Sequence, residues 1–507
     1  MIKTFRSAIM NVIVVGAGNA GRPVARLLNY AGHKVKITDP KNLEDFHMDV
    51  QKTLVLMEKE GVELDLGVFE PSLEGIDTVY LSPTVPENSP AYKIITEADL
   101  NVFSNEDFGR LADSFIKPDI IGITGSVGKT STTHMVSEIF RAAGYKVWLC
   151  SSMTQNLVSE VIVDGIIKGL PDKVDIAVLE LPHGTAGLMG ELRLKVGALL
   201  NIYEEHLSEF GGSMEKYTQR KMFITKHSEN FITSIHCKDT VKEARPDAIF
   251  YAMVKDLPAY DEDKKQRYFD KIANFEEIAI GENQVCNFIG DSAKGAINIG
   301  YKFRNKNDEL LKGSFTSEFH MMSYYYENAV AATAISMAYG LDLPIIKKGL
   351  SNFKGLAVHM EYIGDYNGRE VFVDASYLIE GITAALDFLG DRDLVLLLDN
   401  FDTSTKRDKK ETGRLMGKYA DVMVATGFNE VYQRVDLEPA QELLDAAVDS
   451  KACKVIAGTM EEGAELAIKY SKPGDTILHL GPQLMQDPEG IMAKIVSGLE
   501  EGCRKYE

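Results

Sequence analysis

The chain has 507 residues, 45% of them hydrophobic and 26% charged, an ordinary globular composition with core material for several domains. Its 75 acidic residues outnumber 55 basic ones, for a formal net charge of −20. That argues against a sequence-blind grip on nucleic acid or on an anionic membrane, because both depend on basic patches. Five scattered cysteines without metal-ligand spacing fit a reducing compartment. No stretch approaches the roughly 18 uncharged apolar residues that a membrane span requires. A cytoplasmic protein that acts on small molecules is expected, with no nucleic-acid partner and no membrane span.

In chain order, the apolar run Asn11 to Val15 flows straight into Gly16-Ala17-Gly18-Asn19-Ala20-Gly21 and reads as a first strand rather than a signal peptide. A helical pattern follows (Val24, Leu27, Leu28). A second strand, His33 to Thr38, then ends at Asp39. This is a dinucleotide-fold opening with an acid after its second strand. Taken alone, the glycine spacing can hold NAD, hold another nucleotide, or only let a helix pack closely on a strand. Strand–helix alternation continues through Val79-Tyr80-Leu81-Ser82-Pro83 and a helical Ser89 to Asp99, giving a first domain over residues 1–115.

Ile120 to His134, IIGITGSVGKTSTTH, runs from a buried strand through a glycine turn into a helix. Gly125 and Gly128 let backbone N–H groups curl around an anion, Lys129 reaches the outer phosphates, and the Thr130 hydroxyl can ligate Mg²⁺. The general pattern places a glycine six residues before the lysine, where this chain has Ile123. Val174 to Leu181 is a buried strand ending in Glu180, where a carboxylate overhangs the ligand crevice of an open α/β sheet. Val196 to Tyr203 is again strand-like. An acid-flanked His206 follows, then a helical stretch carrying Lys221. Residues 232–318 read as an antiparallel extension. Ser323 to Gly340 and Leu343 to Phe353 read as helices, so the second domain covers 116–352. Strands at Glu370–Val373, Leu394–Leu398, Val422–Ala425, Lys454–Ala457 and Thr476–Leu480 alternate with helices and define a third domain over 353–507. The expected fold class is α/β in three domains: a Rossmann-like N-terminal domain, a central P-loop ATPase domain and a Rossmann-like C-terminal domain.

Together these residues resemble the Mur ligases, ATP-dependent enzymes that add amino acids to UDP-linked cell-wall precursors. ITGSVGKTSTT resembles the family's TGTNGKTTT loop, and LEL at Leu179 to Leu181 resembles its strand with a Mg²⁺-binding glutamate. NIYEEHLSEFGGSMEKYTQRKMFI is similar to a family segment in order and spacing over more than twenty residues. The resemblance implies ATP contacts at Gly125, Ser126, Val127, Gly128, Lys129, Thr130 and Ser131. It places Asn328 of ENAVAATAIS on the adenine, Asp374 of VFVDAS on the ribose, and His359 where the family has a γ-phosphate arginine. It implies two Mg²⁺ sites drawing on Thr130, Glu180, His206 and a carbamoylated Lys221, with Lys129, Glu180, His206 and Lys221 as the catalytic set. In the first domain it implies UDP binding by Gly18, Asn19, Ala20, Asp39 and Ser82, and it sets Asn156 near an acyl phosphate. A UDP role displaces the NAD reading.

Four positions depart from the family pattern. Only the last asparagine of its HNxxN survives in Tyr324-Tyr325-Tyr326-Glu327-Asn328. His359 replaces the arginine, Pro182-His183 follows the glutamate strand, and Thr84 stands at a glycine position. They mark a diverged branch, which the archaeal pseudomurein peptide ligases fit best. Ligases of the nickel tetrapyrrole and folylpolyglutamate types are the alternatives within the resemblance. An ATP-driven switch that forms no bond and an NAD-linked dehydrogenase are the alternatives outside it.

Overall fold

The structure is a computed structural model that describes residues 9–153, 158–204, 207–258, 269–270, 277–293, 295–305, 307–319, 321, 325–401, 409–429, 434–485 and 487–506. Asn156, His206 and Tyr324 lie outside the described residues. Among the described residues the strands form three main sheets, and a short hairpin pairs Phe428–Asn429 with Arg434–Val435.

The first sheet is wholly parallel. Its strand order is Glu63–Leu66, Lys34–Asp39, Asn11–Val15, Thr78–Leu81, Asn101–Val102. The β-branched run Asn11–Val15 takes the centre because both of its faces are covered, and Val12, Ile13 and Val14 are fully buried. The order reverses between Asn11–Val15 and Thr78–Leu81. At this switch the Gly16–Gly21 turn and the Ser82–Thr84 loop emerge side by side, the place where open α/β sheets bind ligands. Helix Gly21–Tyr30 starts directly against the turn. A Cβ on Gly21 would lie 1.8 Å from the Gly16 carbonyl oxygen, a backbone atom that cannot swing aside. Gly21→Ala should therefore lose about 1–3 kcal/mol, read as a lower urea midpoint at unchanged slope.

The central sheet has ten strands. Seven run in parallel in the order Val147–Cys150, Ile176–Glu180, Asp119–Thr124, Leu194–Leu199, Ser228–Ser234, Ile249–Met253, Gln284–Ala293. Ala296–Arg304 and Leu310–Glu318 then continue it antiparallel, and Ile278–Gly281 pairs with Gln284–Ala293. The antiparallel extension expected over 232–318 is thus shorter than the sequence implied. Short helical turns at Ile235–Cys237 and Lys238–Val241 carry the chain back over the sheet, so Ile249–Met253 adds in parallel. Helices Tyr325–Tyr339 and Leu343–Asn352 pack with helix Lys129–Ala142 on one face.

The third sheet orders Glu361–Asp365, Glu370–Asp374, Thr476–Leu480, Leu394–Leu398, Val422–Thr426, Cys453–Ala457, parallel except for the antiparallel edge strand Glu361–Asp365. Its two faces carry separate cores, one around Leu396 and Leu478 and one around Val395 and Ile477. The first two sheets are joined differently. One apolar core runs from Val24 and Leu28 through Phe108 and Leu111 to Leu188 and Met189. A buried ion pair crosses the same junction: Arg22 Nε lies 2.7 Å from Glu160 Oε1, with both side chains 5% exposed or less.

Candidate active site

Three neighbouring strands of the central sheet each deliver a polar group at their carboxyl ends. Asp119–Thr124 leads into the glycine loop, Ile176–Glu180 ends on Glu180, and Leu194–Leu199 continues to Asn201. Gly128 caps helix Lys129–Ala142 with φ +79°, a conformation only glycine adopts freely, and a Cβ there would meet Asn328 Oδ1 at 2.4 Å. The helix therefore presents its unpaired first-turn N–H groups beside Lys129, Thr130 and Ser131, a ready anion site.

The loop is held from below. Asn201 Oδ1 accepts from Ser126 N at 3.0 Å and Val127 N at 2.9 Å, while its Nδ2 donates to the Val127 carbonyl at 3.1 Å. The Ser126 hydroxyl lies 2.9 Å from Tyr217 Oη and accepts from Tyr203 N at 2.9 Å. Lys129 Nζ donates to the Ser126 carbonyl at 2.5 Å. Lys221 Nζ donates to the Gly125 carbonyl at 2.7 Å and sits 4.8 Å from the centre of the Tyr217 ring, with the side chain 1% exposed. Thr130 Oγ1 donates to Glu180 Oε2 at 3.0 Å, and Ser152 donates to the same oxygen through its N–H at 3.0 Å.

These groups open into a cleft of about 1610 Å³ walled by all three sheets. Ser126, Val127, Gly128, Lys129, Thr130 and Ser131 form its floor, beside Glu180 and Lys221. Asn328, His359 and Asp374 line one side, and Gly18, Asn19 and Ala20 line the first-domain side. Asp374 accepts from Met360 N and Ser376 N, each at 2.7 Å, and its burial pushes the carboxyl above the ordinary range. Burial does the same to Glu327, next to Asn328. His359 Nδ1 lies 2.8 Å from the Ala357 carbonyl.

Three predicted residues do not face the cleft. Gly125 contributes its carbonyl to Lys221 instead. Asp39 points back at the glycine turn, accepting from Ala17 N at 2.8 Å and Lys41 N at 3.0 Å. Ser82 is buried, 3.1 Å from the hydroxyl of Thr84, and it is Thr84 that reaches the cleft. Asn201, Ser152 and Tyr217 were not singled out from the sequence. Asn201 ends an apolar strand just as Glu180 does, which is the signal that could have found it.

Among the described residues no group of three or more His, Cys, Asp or Glu side chains is close enough to hold a metal ion. The Thr130 hydroxyl and Glu180 carboxylate are hard oxygen donors of the kind that suits Mg²⁺, so the donor chemistry fits that ion. Lys221, as an amine bonded to a carbonyl, is not a ligand in this form.

A phosphate loop backed by a carboxylate, in a cleft that the first and third domains also line, defines a nucleoside-triphosphate-dependent enzyme. The sequence pattern of the Mur ligase middle domain matches residues 123–299. An uncharacterized protein of Methanothermobacter thermautotrophicus is 37% identical over 219 residues, covering 42% of this chain and 69% of that protein. The UDP-N-acetylmuramoylalanine--D-glutamate ligase of Bdellovibrio bacteriovorus is 25% identical over 478 residues, covering 92% of this chain and 91% of that enzyme. Among solved structures, a pseudomurein peptide ligase type C from Methanothermus fervidus superposes with TM-score 0.56 at 18% identity, covering 96% of this chain and 100% of that one. That likeness is one of fold. The chain belongs to the Mur ligase family, ATP-dependent ligases that form carbon–nitrogen bonds and use ATP with Mg²⁺.

Proposed function

We propose that this protein joins an amino acid to a carboxylate of a UDP-linked, pseudomurein-type cell-wall precursor through an acyl phosphate. The observation that carries the reading is the single cleft in which the phosphate loop lies between the first domain's glycine turn and the third domain's Ser376 to Gly381. Residues 1–115 bind the UDP-linked acceptor, 116–352 bind ATP and 353–507 bind the incoming amino acid, which brings two substrates to one triphosphate. The carrier lies against Gly18, Asn19, Ala20 and Thr84, while Asp39 and Ser82 act from behind by holding these loops.

A carboxylate oxygen of the acceptor attacks the γ-phosphorus, the bond to the bridging oxygen breaks, and ADP leaves. The amine nitrogen then attacks the acyl carbon, phosphate departs, and the nitrogen gives its extra proton to solvent. Such a reaction needs position and charge neutralisation more than covalent help. Lys129 exchanges its bond to the Ser126 carbonyl for the β and γ oxygens, and the first-turn N–H groups of its helix hold the same phosphates. Asn328 meets the base, and Asp374 and His359 face the ribose and phosphate side. Thr130 and Glu180 would hold one Mg²⁺, and His206 with a carbamoylated Lys221 would complete a second site; the ions supply neutralising charge at the phosphate oxygens. The resemblance assigns Asn156 to the acyl phosphate.

Phosphate release tests the proposal. ATP alone should yield almost no phosphate, while ATP with a UDP-linked peptide acceptor and an amino acid should yield one ADP per amide. Steady hydrolysis without an acceptor would instead support a switch. Turnover with tetrapyrrole or folate acceptors in place of UDP compounds would move the enzyme to cofactor synthesis.

A further inference from the structure

The helix Met214–Lys221 carries two cations with opposite surroundings. Lys221 is buried and bonded to the loop, whereas its neighbour Arg220 is exposed and lines the cleft. Among the described residues no acid pairs with Arg220, in a chain whose net charge is −20. Its guanidinium is 5.9 Å from the centre of the Phe210 ring, and it lies so close to Gly187 that a Cβ there would be 1.8 Å from Nη1. Ring face and bare glycine backbone thus hold a planar fork in place without satisfying its N–H donors.

The position also selects a substrate. Gly187 belongs to helix His183–Leu188, which follows Glu180 and packs against helix Asn105–Phe115 of the first domain. Arg220 therefore lines the cleft beside the helix that touches the first domain, the acceptor wall of the reading above. We propose that Arg220 is an oxyanion-recognition residue for the acceptor, pairing in bidentate fashion with a phosphate of its carrier or with a carboxylate that does not react. This rests on the acceptor reading above and adds that the acceptor bears a second anionic group at this wall.

The full chain is loaded with AMP-PNP and Mg²⁺ so that the phosphate loop is occupied, and calorimetry then follows binding of pyrophosphate, UDP and glutarate. Arg220→Met keeps a side chain of similar length against Phe210 and loses the charge and the fork. It should weaken at least one of these anions by about tenfold or more, with Arg220→Lys recovering only part of the loss and AMP-PNP affinity within twofold of wild type. Loss of pyrophosphate and UDP together identifies the phosphate as the group bound, and loss of glutarate alone identifies the carboxylate. If wild type ignores UDP while Arg220→Met still loses glutarate, the UDP carrier reading falls and the role of Arg220 stands. Equal anion binding by wild type and Arg220→Met, or none by wild type with the loop filled, overturns the proposal.

Discussion

Lys221→Ala should lower kcat by at least about a hundredfold while ADP binding stays within a few-fold of wild type. The amine is 1% exposed and donates to Gly125 at the root of the phosphate loop. Removing it leaves a buried carbonyl unpaired, at a cost of about 1–3 kcal/mol. ADP binding survives because Lys129 and the first turn of its helix remain. Turnover does not, because the proposed reaction has Lys221 carry an anionic carbamate oxygen beside the transferring phosphate, and one such lost interaction is worth about 10²–10³ in rate. Added bicarbonate should not restore the variant, since alanine offers no amine to modify. Thermal unfolding separates the two contributions. If kcat remains near normal, Lys221 is only a brace for the loop and the carbamate reading fails. If kcat collapses with a small loss of stability, the lysine acts in the chemistry.

The parts of this site that the sequence revealed are those whose information is local. The strand, the two glycines, Lys129 and Thr130 lie within fifteen consecutive residues, and each constrains the backbone or the anion directly. Glu180 was legible because it closes an apolar strand downstream of a phosphate loop, which gives a strand-end carboxylate a cation to hold. Asn201 and Tyr217 act on the same loop from 75 and 91 positions away, and their contacts exist only because the sheet places Leu194–Leu199 beside Asp119–Thr124. Strand order is set by crossover connections, which residue periodicity does not encode. Asp39 shows the converse. Its place after the second strand matches a ribose-binding acid, yet one of its oxygens accepts from Ala17 N in the glycine turn and the other from Lys41 N in its own loop. A sequence motif records which residue stands at a position, whereas the neighbouring loop decides whether it faces ligand or chain.

The junction between the first two domains gives the largest stability effect. Arg22→Met should destabilise the protein by about 3–5 kcal/mol, because it breaks an ion pair whose two side chains are 5% exposed or less. Arg22 also donates to the Ala17 carbonyl at 2.8 Å and to Asn19 Oδ1 at 3.3 Å, so one guanidinium ties the glycine turn to a helix of the central domain. Four residues on, Arg26 repeats the arrangement more weakly. It binds Glu60 within its own domain and reaches Asp164 at 3.3 Å, where the acid is 33% exposed and water takes up much of the charge. Asp164→Asn should therefore cost well under 1 kcal/mol, and the contrast is read from urea unfolding of the two variants. The double variant Arg22→Met/Glu160→Met removes both charges of the pair, and it should recover part of the lost stability. It should not recover acceptor affinity, since Asn19 and Ala17 lose their anchor in both variants. An acceptor KM that rises in Arg22→Met and stays high in the double variant, with the ATP KM unchanged, would show that this ion pair aims the first domain's turn at the cleft. A KM that returns with stability would reduce Arg22 to a fastener between domains.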